Sequence, residues 1–315
     1  GMELTEDIID NVYECALCGA CTRDCATGWD PVAFTKEVRL EAALNGLLPG
    51  YINKLVDNLE STGNPYGKTE VDRALHNEIK SLPAKADILL FLGADARYIA
   101  FGQAVNAIRL LKKSEVGFTV LADEPDSGWA ADMLLGKAEE TRQTMLRAAE
   151  RLRYKTVVAY DPADAKVFLR EYREWGIEIP ARVQTFTSFI NGLLREGSLK
   201  PAKSGMAYTY QDPAHLARDL GETADAREIL NACGHVREML LHGKDTVWAG
   251  NLLLNEYMPE VMKRTAAARW RDAAASGADV LVTASPSEYE ILAGVKPEGM
   301  ELMGIEEVVL KSCEV

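Results

Sequence analysis

No apolar stretch in this 315-residue chain approaches the roughly 18 residues that a membrane span requires; the longest, such as Ile88 to Leu92, falls far short. Positive charge is also scarce, with 35 Lys and Arg against 48 Asp and Glu, a net charge of −13. A chain this acidic lacks the basic footprint that binding to a phosphate backbone needs, so nucleic acid is not an expected partner. No G-x-G-x-x-G or G-x-x-x-x-G-K-[ST] loop is present, and nothing argues for a nucleotide cofactor. Six cysteines are too few to staple a chain of this length as a disulfide framework. The acidic opening GMELTEDIID lacks the charged and apolar pattern of a signal peptide, and Gly1 ahead of Met2 reads as the scar of a removed tag. The expectation is a cytoplasmic protein without a membrane span. With 47% hydrophobic and 26% charged residues, the composition is that of a globular protein long enough for two or three domains.

What is present is concentrated at the start. Cys15, Cys18, Cys21 and Cys25 fall within eleven residues with the spacing C-x2-C-x2-C-x3-C. This is the bacterial ferredoxin run, whose short turns aim thiolates at one cubane cluster. Structural zinc is the rival reading, but it usually needs two ligand pairs separated by a dozen or more residues so that two turns face each other. Here Ala26 stands where the run usually has Pro, and no second run follows to share the fourth cysteine. The fourth ligand is therefore Cys25, Cys233, Cys313 or a non-cysteine group. Helical spacing of Ile229, Cys233, Val236 and Leu240, and of Ile305, Val309 and Cys313, favours core packing for the two distant thiols. Cys25 is the favoured fourth ligand by proximity.

Two helical stretches follow, VAFTKEVRLEAALNGLL and Tyr51 to Leu59, before the turn-rich segment STGNPYGK. Beyond it strands alternate with long helices: ADILLFLGADARY, a helix through IAFGQAVNAIRLLKKS, GFTVLADE, a helix through LLGKAEETRQTMLRAAERLR, and KTVVAYDP. The order then repeats, with GMAYTYQDPAHL, a helix around Ala224 to Leu241, the segment DTVWAGN, a helix near Pro259 to Ser276, and ADVLVTASP. Local matches such as GWAADMLLG with VWAGNLLLN support a duplication. The predicted fold is α/β: two βαβ repeats with parallel sheets and pseudo-twofold symmetry, behind a small helical domain. Residues 1–62 form the helical iron–sulfur domain, 63–85 a linker, 86–200 the first repeat and 201–315 the second. The strand-end loops of the two repeats face one cleft, the default ligand site.

The order of these motifs resembles the cysteine-rich (CCG) domain family of heterodisulfide reductase subunits and related iron–sulfur oxidoreductases. It is carried by Cys15 to Cys25, GNPYG at 63–67, LGADARY at 92–98, TVLADE at 119–124, YQDPAHLAR at 210–218 and GADVLVTASP at 277–286. In that family each repeat carries further cysteines that can hold a second, non-cubane cluster for disulfide chemistry. At the matching positions this chain has Asp212-Pro213-Ala214-His215, Asp126-Ser127-Gly128, Val247-Trp248-Ala249, Asp161-Pro162-Ala163-Asp164 and Ser285-Pro286-Ser287-Glu288. The resemblance therefore implies a degenerate member whose cleft cannot perform thiol–disulfide exchange.

Asp161, Asp164, His215 and Glu288, with Asp212, could supply oxygen and imidazole ligands in a repurposed cleft. The competing reading makes them turn and cap residues, since Asp-Pro and Ser-Pro open turns and Glu288 suits a helix N-terminus. Trp129 and Trp248 fall at matching positions and are expected to fill the space a cluster would need, in preference to stacking on a ligand. The sequence thus reads as a redox subunit, not a complete oxidoreductase on its own. One [4Fe–4S] cluster on Cys15, Cys18, Cys21 and Cys25 exchanges electrons with a redox partner or catalytic subunit. A binding or scaffold protein with a structural cluster, and an enzyme with a new site in the cleft, are the alternatives.

Overall fold

The computed structural model describes residues 4–313. The N-terminal part is helical. Thr5 caps the helix Glu6–Tyr13, and Asp30 caps Pro31–Leu44 by accepting hydrogen bonds from the N–H groups of Val32 and Ala33. Pro31 at the first helical position costs no intrahelical hydrogen bond. A third helix, Gly50–Thr62, ends at Gly63 in the left-handed conformation.

Among the described residues eight short strands follow: β1 (Ile88–Phe91), β2 (Phe118–Thr119), β3 (Thr156–Ala159), β4 (Arg182–Thr185), β5 (Ala207–Gln211), β6 (His235–Val236), β7 (Val280–Thr283) and β8 (Glu301–Gly304). They form two four-stranded parallel sheets in the orders β2-β1-β3-β4 and β6-β5-β7-β8. Identical order with parallel pairing throughout is the expected duplicated α/β fold. The central strands carry side chains such as Leu89, Leu90, Val157, Val158, Leu281 and Val282, fully buried on both faces, as parallel sheets covered by helices require.

Alternation along each strand divides the core into two layers. Leu90, Val158, Val280 and Val282 point to an inner layer shared by the repeats, while Leu89, Val157 and Leu281 point to an outer one. In the inner layer the helix Phe101–Lys113 packs on Ile305–Ser312, and Phe186–Arg195 packs on Asp225–Cys233. Each repeat thus lends helices to a common interior.

Three local expectations change. The helix foreseen through 134–153 is two helices, Trp129–Leu135 and Glu139–Arg151, broken at Gly136, where a Cβ would collide with the Lys36 carbonyl. The helix foreseen around 224–241 ends at Cys233, because the chain turns at Gly234 against the Met206 carbonyl and the Tyr208 ring and enters β6. Val236 is therefore a strand residue and Leu240 is 92% exposed, so neither continues the apolar helical face. The segment 63–85 also contains a helix, Arg73–Lys80, anchored by the fully buried Leu75.

The helical part is fastened to the first repeat by buried polar contacts. Arg39, fully buried, donates to the carbonyls of Val12, Cys15 and Met133 and lies 4.9 Å from the centre of the Tyr13 ring. Beside it Lys36 and Lys166 face Asp132 and Glu171 in a network closed from the solvent. The two lysines hold the Glu171 carboxyl down to about 2 against the upward push of burial. Tyr13 donates to the Leu134 carbonyl, and Tyr257 of the second repeat donates to the Tyr13 carbonyl.

Candidate functional site

The cysteine segment lies between the first helix and the helix Pro31–Leu44, a loop carrying the short helix Ala20–Arg23 and turned by three residues in left-handed geometry, Leu17 at φ 51°, Gly19 at φ 73° and Gly28 at φ 72°. None of its four cysteines is in a disulfide; Cys15, Cys18 and Cys25 are half-buried and Cys21 is exposed. Two arginines from different parts of the fold hold the loop's carbonyls. Arg39 binds that of Cys15 at 2.6 Å and Arg218 that of Cys18 at 2.8 Å. Arg218 also donates to the carbonyls of Lys244 and Thr246, tying the loop to the second repeat.

Hydrogen bonds reach two of the four sulfurs. The Leu17 N–H donates to Cys15 Sγ at 3.4 Å, and hydrogen bonds from the Thr27 hydroxyl and the backbone of Thr27, Trp29 and Gly28 hold the Cys25 thiol below its ordinary range. Four unbridged soft donors, two of them hydrogen-bonded at sulfur, suit iron–sulfur ligation in their chemistry. Among the described residues no three His, Cys, Asp or Glu side chains stand close enough to hold a metal ion as they lie. Cys233 belongs elsewhere: it is fully buried in the inner layer, where burial pushes its thiol up to about 11. Cys313 is half-buried against the same layer.

The second concentration of chemistry is at the carboxyl ends of the strands. Strand register makes Asp95 after β1 the counterpart of His215 after β5, and makes Asp161 and Asp164 after β3 the counterparts of Ser285 and Glu288 after β7. The helix Ala94–Tyr98 packs against Pro286–Ala293, and Pro162–Lys166 against the π-helical turn His215–Asp219, so the two repeats do meet at their strand ends.

Asp161 caps its helix by accepting from Ala163 N–H at 2.8 Å, and Ser285 caps the matching helix. Asp164 accepts a short hydrogen bond from Ser127 and lies against the Cα of Gly93. Burial, with the neighbouring charges of Asp95 on Asp161 and of Asp161 on Asp164, raises both carboxyls well above their usual range. Asp95 accepts from the Tyr66 hydroxyl at 2.5 Å, and Glu124 accepts from the N–H groups of Leu92 and Gly93.

The structure therefore brings Asp161 and Asp164 together and separates the other two members of the expected cleft set. His215 stands 2.8 Å from Asp219, which also binds Arg170. Glu288 is enclosed in the second repeat near Gln211, Thr283 and the Ala249 N–H, and burial pushes it up to about 8. Asp212 is committed to Arg227 and the Gly243 N–H. Trp129 is almost fully buried and Trp248 partly buried, both in the outer layer. Sequence reading missed Asp95, Arg97, Glu124, Arg39 and Arg218. Asp95 and Arg97 could have been found, since GADAR follows a strand directly, whereas the two carbonyl-binding arginines have no local sequence signature.

No family model matches the chain. It is 27% identical over 296 residues to a subunit of the dihydromethanophenazine:CoB–CoM heterodisulfide reductase of Methanosarcina mazei, covering 89% of this chain and 72% of that protein. A probable membrane-anchored ferredoxin of Chromohalobacter salexigens is 31% identical over 71% of this chain, but only 36% of its own length is spanned. A subunit of the CoM/CoB fumarate reductase of Methanothermobacter marburgensis is 24% identical over 71% of this chain and 45% of that protein. The similarity to heterodisulfide reductase subunits that the motifs imply is thus found along most of the chain. Among solved structures, an aspartate racemase of Picrophilus torridus covers 73% of this chain and 95% of its own at 9% identity, with a TM-score of 0.33, too low to bear on the fold or the function. No helix among the described residues is long and apolar enough to cross a membrane.

Proposed function

We propose that this chain is an iron–sulfur electron-transfer protein. One [4Fe–4S] cluster on Cys15, Cys18, Cys21 and Cys25 exchanges single electrons with a redox partner, a larger reductase assembly in which catalysis lies on another subunit. The observation that carries this reading is the ferredoxin spacing of four unbridged thiols in a loop that Arg39 and Arg218 anchor by its carbonyls. Similarity to a ferredoxin and to subunits of two reductases supports it.

When bound, such a cluster supplies one-electron exchange without group transfer. The chain's own part is to set the electrostatics and the access. Arg39 and Arg218 place two guanidinium groups on the carbonyl side of the loop, a charge arrangement that favours the reduced, more negative state. Cys21 faces solvent, leaving one side of the loop open to a partner. The two α/β repeats contribute no cysteine to their strand ends, so the chain is expected to show no heterodisulfide or thiol–disulfide reductase activity of its own.

Anaerobic purification with iron and sulfide counts, followed by electron paramagnetic resonance after dithionite reduction, tests the proposal. A brown protein with labile sulfide and a reducible spectrum is expected; stoichiometric zinc without sulfide would refute it. Cys25→Ser is expected to lower cluster occupancy as much as Cys18→Ser, whereas Cys233→Ser leaves the cluster intact. A cluster that forms but cannot be reduced would favour a purely structural role.

A further inference from the structure

The helix Pro31–Leu44, which follows the cysteine loop, keeps one face against the protein and one in solvent. Thr35, Lys36, Arg39 and Ala42 are buried on the inner face, while Ala33, Phe34, Glu37, Glu41 and Leu44 are exposed on the outer one. Phe34 is 48% exposed and Leu44 69%. Just before the helix Trp29 is 54% exposed, its ring 5.5 Å from that of Phe34, and just after it Leu47 is 43% exposed. Four of the ten large apolar side chains exposed among the described residues thus fall within nineteen residues of chain, a clustering that marks an interaction surface more than scattered surface residues do.

This face adjoins the cysteines. The Trp29 N–H is one of the backbone groups that reach Cys25, and Cys21 is exposed. The other side of the loop is already occupied. Arg39 and Arg218 bind the carbonyls of Cys15 and Cys18 there, and Val32, across the helix from Phe34, lines the hollow that holds Arg170 and Arg218. The charge of the outer face has one sign. Glu37 and Glu41 are exposed and have no ion-pair partner among the described residues, while the only cations of the helix, Lys36 and Arg39, are buried on its inner face.

We propose that this face is the docking surface for the redox partner, a protein that offers an apolar recess to Trp29 and Phe34 and Lys or Arg side chains to Glu37 and Glu41. The proposal rests on the electron-transfer reading and adds to it the chemistry of the partner. Exposed aromatic side chains are the usual anchors of such contacts, and unpaired carboxylates steer a basic surface toward them. A second copy of this chain is a poorer occupant, because an isologous contact would set Glu37 and Glu41 against the same carboxylates. An anionic lipid surface would be repelled in the same way. Docked here, a partner lies on the open side of the loop, where one electron passes with no bond or proton changing hands.

Mitochondrial cytochrome c, a small haem protein ringed with lysines, is the probe. Isothermal titration calorimetry of its oxidised form into the full chain reads the surface without using the cluster. Binding is expected at about 0.01 M salt and should weaken about tenfold or more by about 1 M, as the screening length falls from about 30 Å to about 3 Å. Trp29→Ala with Phe34→Ala should weaken it by about tenfold or more, and Glu37→Gln with Glu41→Gln should flatten its salt dependence. In stopped flow, the dithionite-reduced protein should pass one electron to the ferric haem, and more slowly in the aromatic variant. The rate of that variant with hexaammineruthenium(III), an ion too small to need the surface, should match the parent's. No binding of cytochrome c, equal binding by the aromatic variant, or a dimer in analytical ultracentrifugation that the aromatic variant loses would each overturn the proposal. Failure of both oxidants to take up electrons would instead sink the iron–sulfur reading, and with it the redox role of the partner, whether or not cytochrome c binds.

Discussion

Gly93 shows how one residue sets the chemistry of a strand end. Its φ of 82° lies where only glycine is at ease, and a Cβ would overlap the carboxylate of Asp164. Neither constraint can be relieved alone, since Asp164 is itself fixed by Ser127 and by its place on the helix Pro162–Lys166. Gly93→Ala is therefore expected to lose about 1–3 kcal/mol of stability, measured by urea unfolding, through backbone strain and displacement of a buried carboxyl. A variant as stable as the parent would show that the strand end has room to spare.

Among the elements, those with strong local signals were legible. Caps at Thr5, Asp30, Asp161 and Ser285, the runs ILLF, TVVA and VLVT, and the repeated strand–helix order are all written in residues close in sequence. What failed depended on distant partners. Gly136 breaks a helix only because the Lys36 backbone presses on it, and Gly234 ends one because β6 pairs with β5. The candidate site divides in the same way. The cysteine spacing was readable, while separation of His215 and Glu288 follows from Asp219 and Gln211, which no periodicity points to. Arg218 is the clearest long-range case, since it joins a π-helical turn in the second repeat to the carbonyl of Cys18 two hundred residues away. Arg218→Ala is expected to free the cysteine loop, raising the rate of tryptic cleavage after Arg23 several-fold, with Arg218→Lys intermediate. Unchanged cleavage in Arg218→Ala would mean that Arg39 and the salt bridge from Arg23 to Asp245 suffice to hold the loop.

For the whole molecule, the repeats are joined through groups that prefer to be neutral, and this gives stability a definite pH dependence. Tyr160 of the first repeat meets Glu306 of the second, and burial pushes the Glu306 carboxyl up to about 8, as it does Glu288. A carboxyl raised in the folded state keeps its proton while the unfolded chain, near the ordinary 4.5, gives it up. Its contribution is therefore complete below pH 4.5, declines as pH rises, and is gone by about pH 8. Asp95, Asp161 and Asp164 are raised as well and act in the same direction. Glu171 acts oppositely: held down to about 2 by Lys166 and Lys36, it stabilises above 4.5 and is lost as pH falls through 2. Together these terms place the stability maximum on the acidic side of neutrality, near pH 5. Glu306→Gln keeps a neutral polar group beside Tyr160 and removes one titration, so its stability should fall less between pH 5 and pH 8 than the parent's, by up to about 1 kcal/mol per pH unit. Urea unfolding at the two pH values decides the matter, and an equal decline in parent and variant would show that Glu306 is ionised in the folded protein.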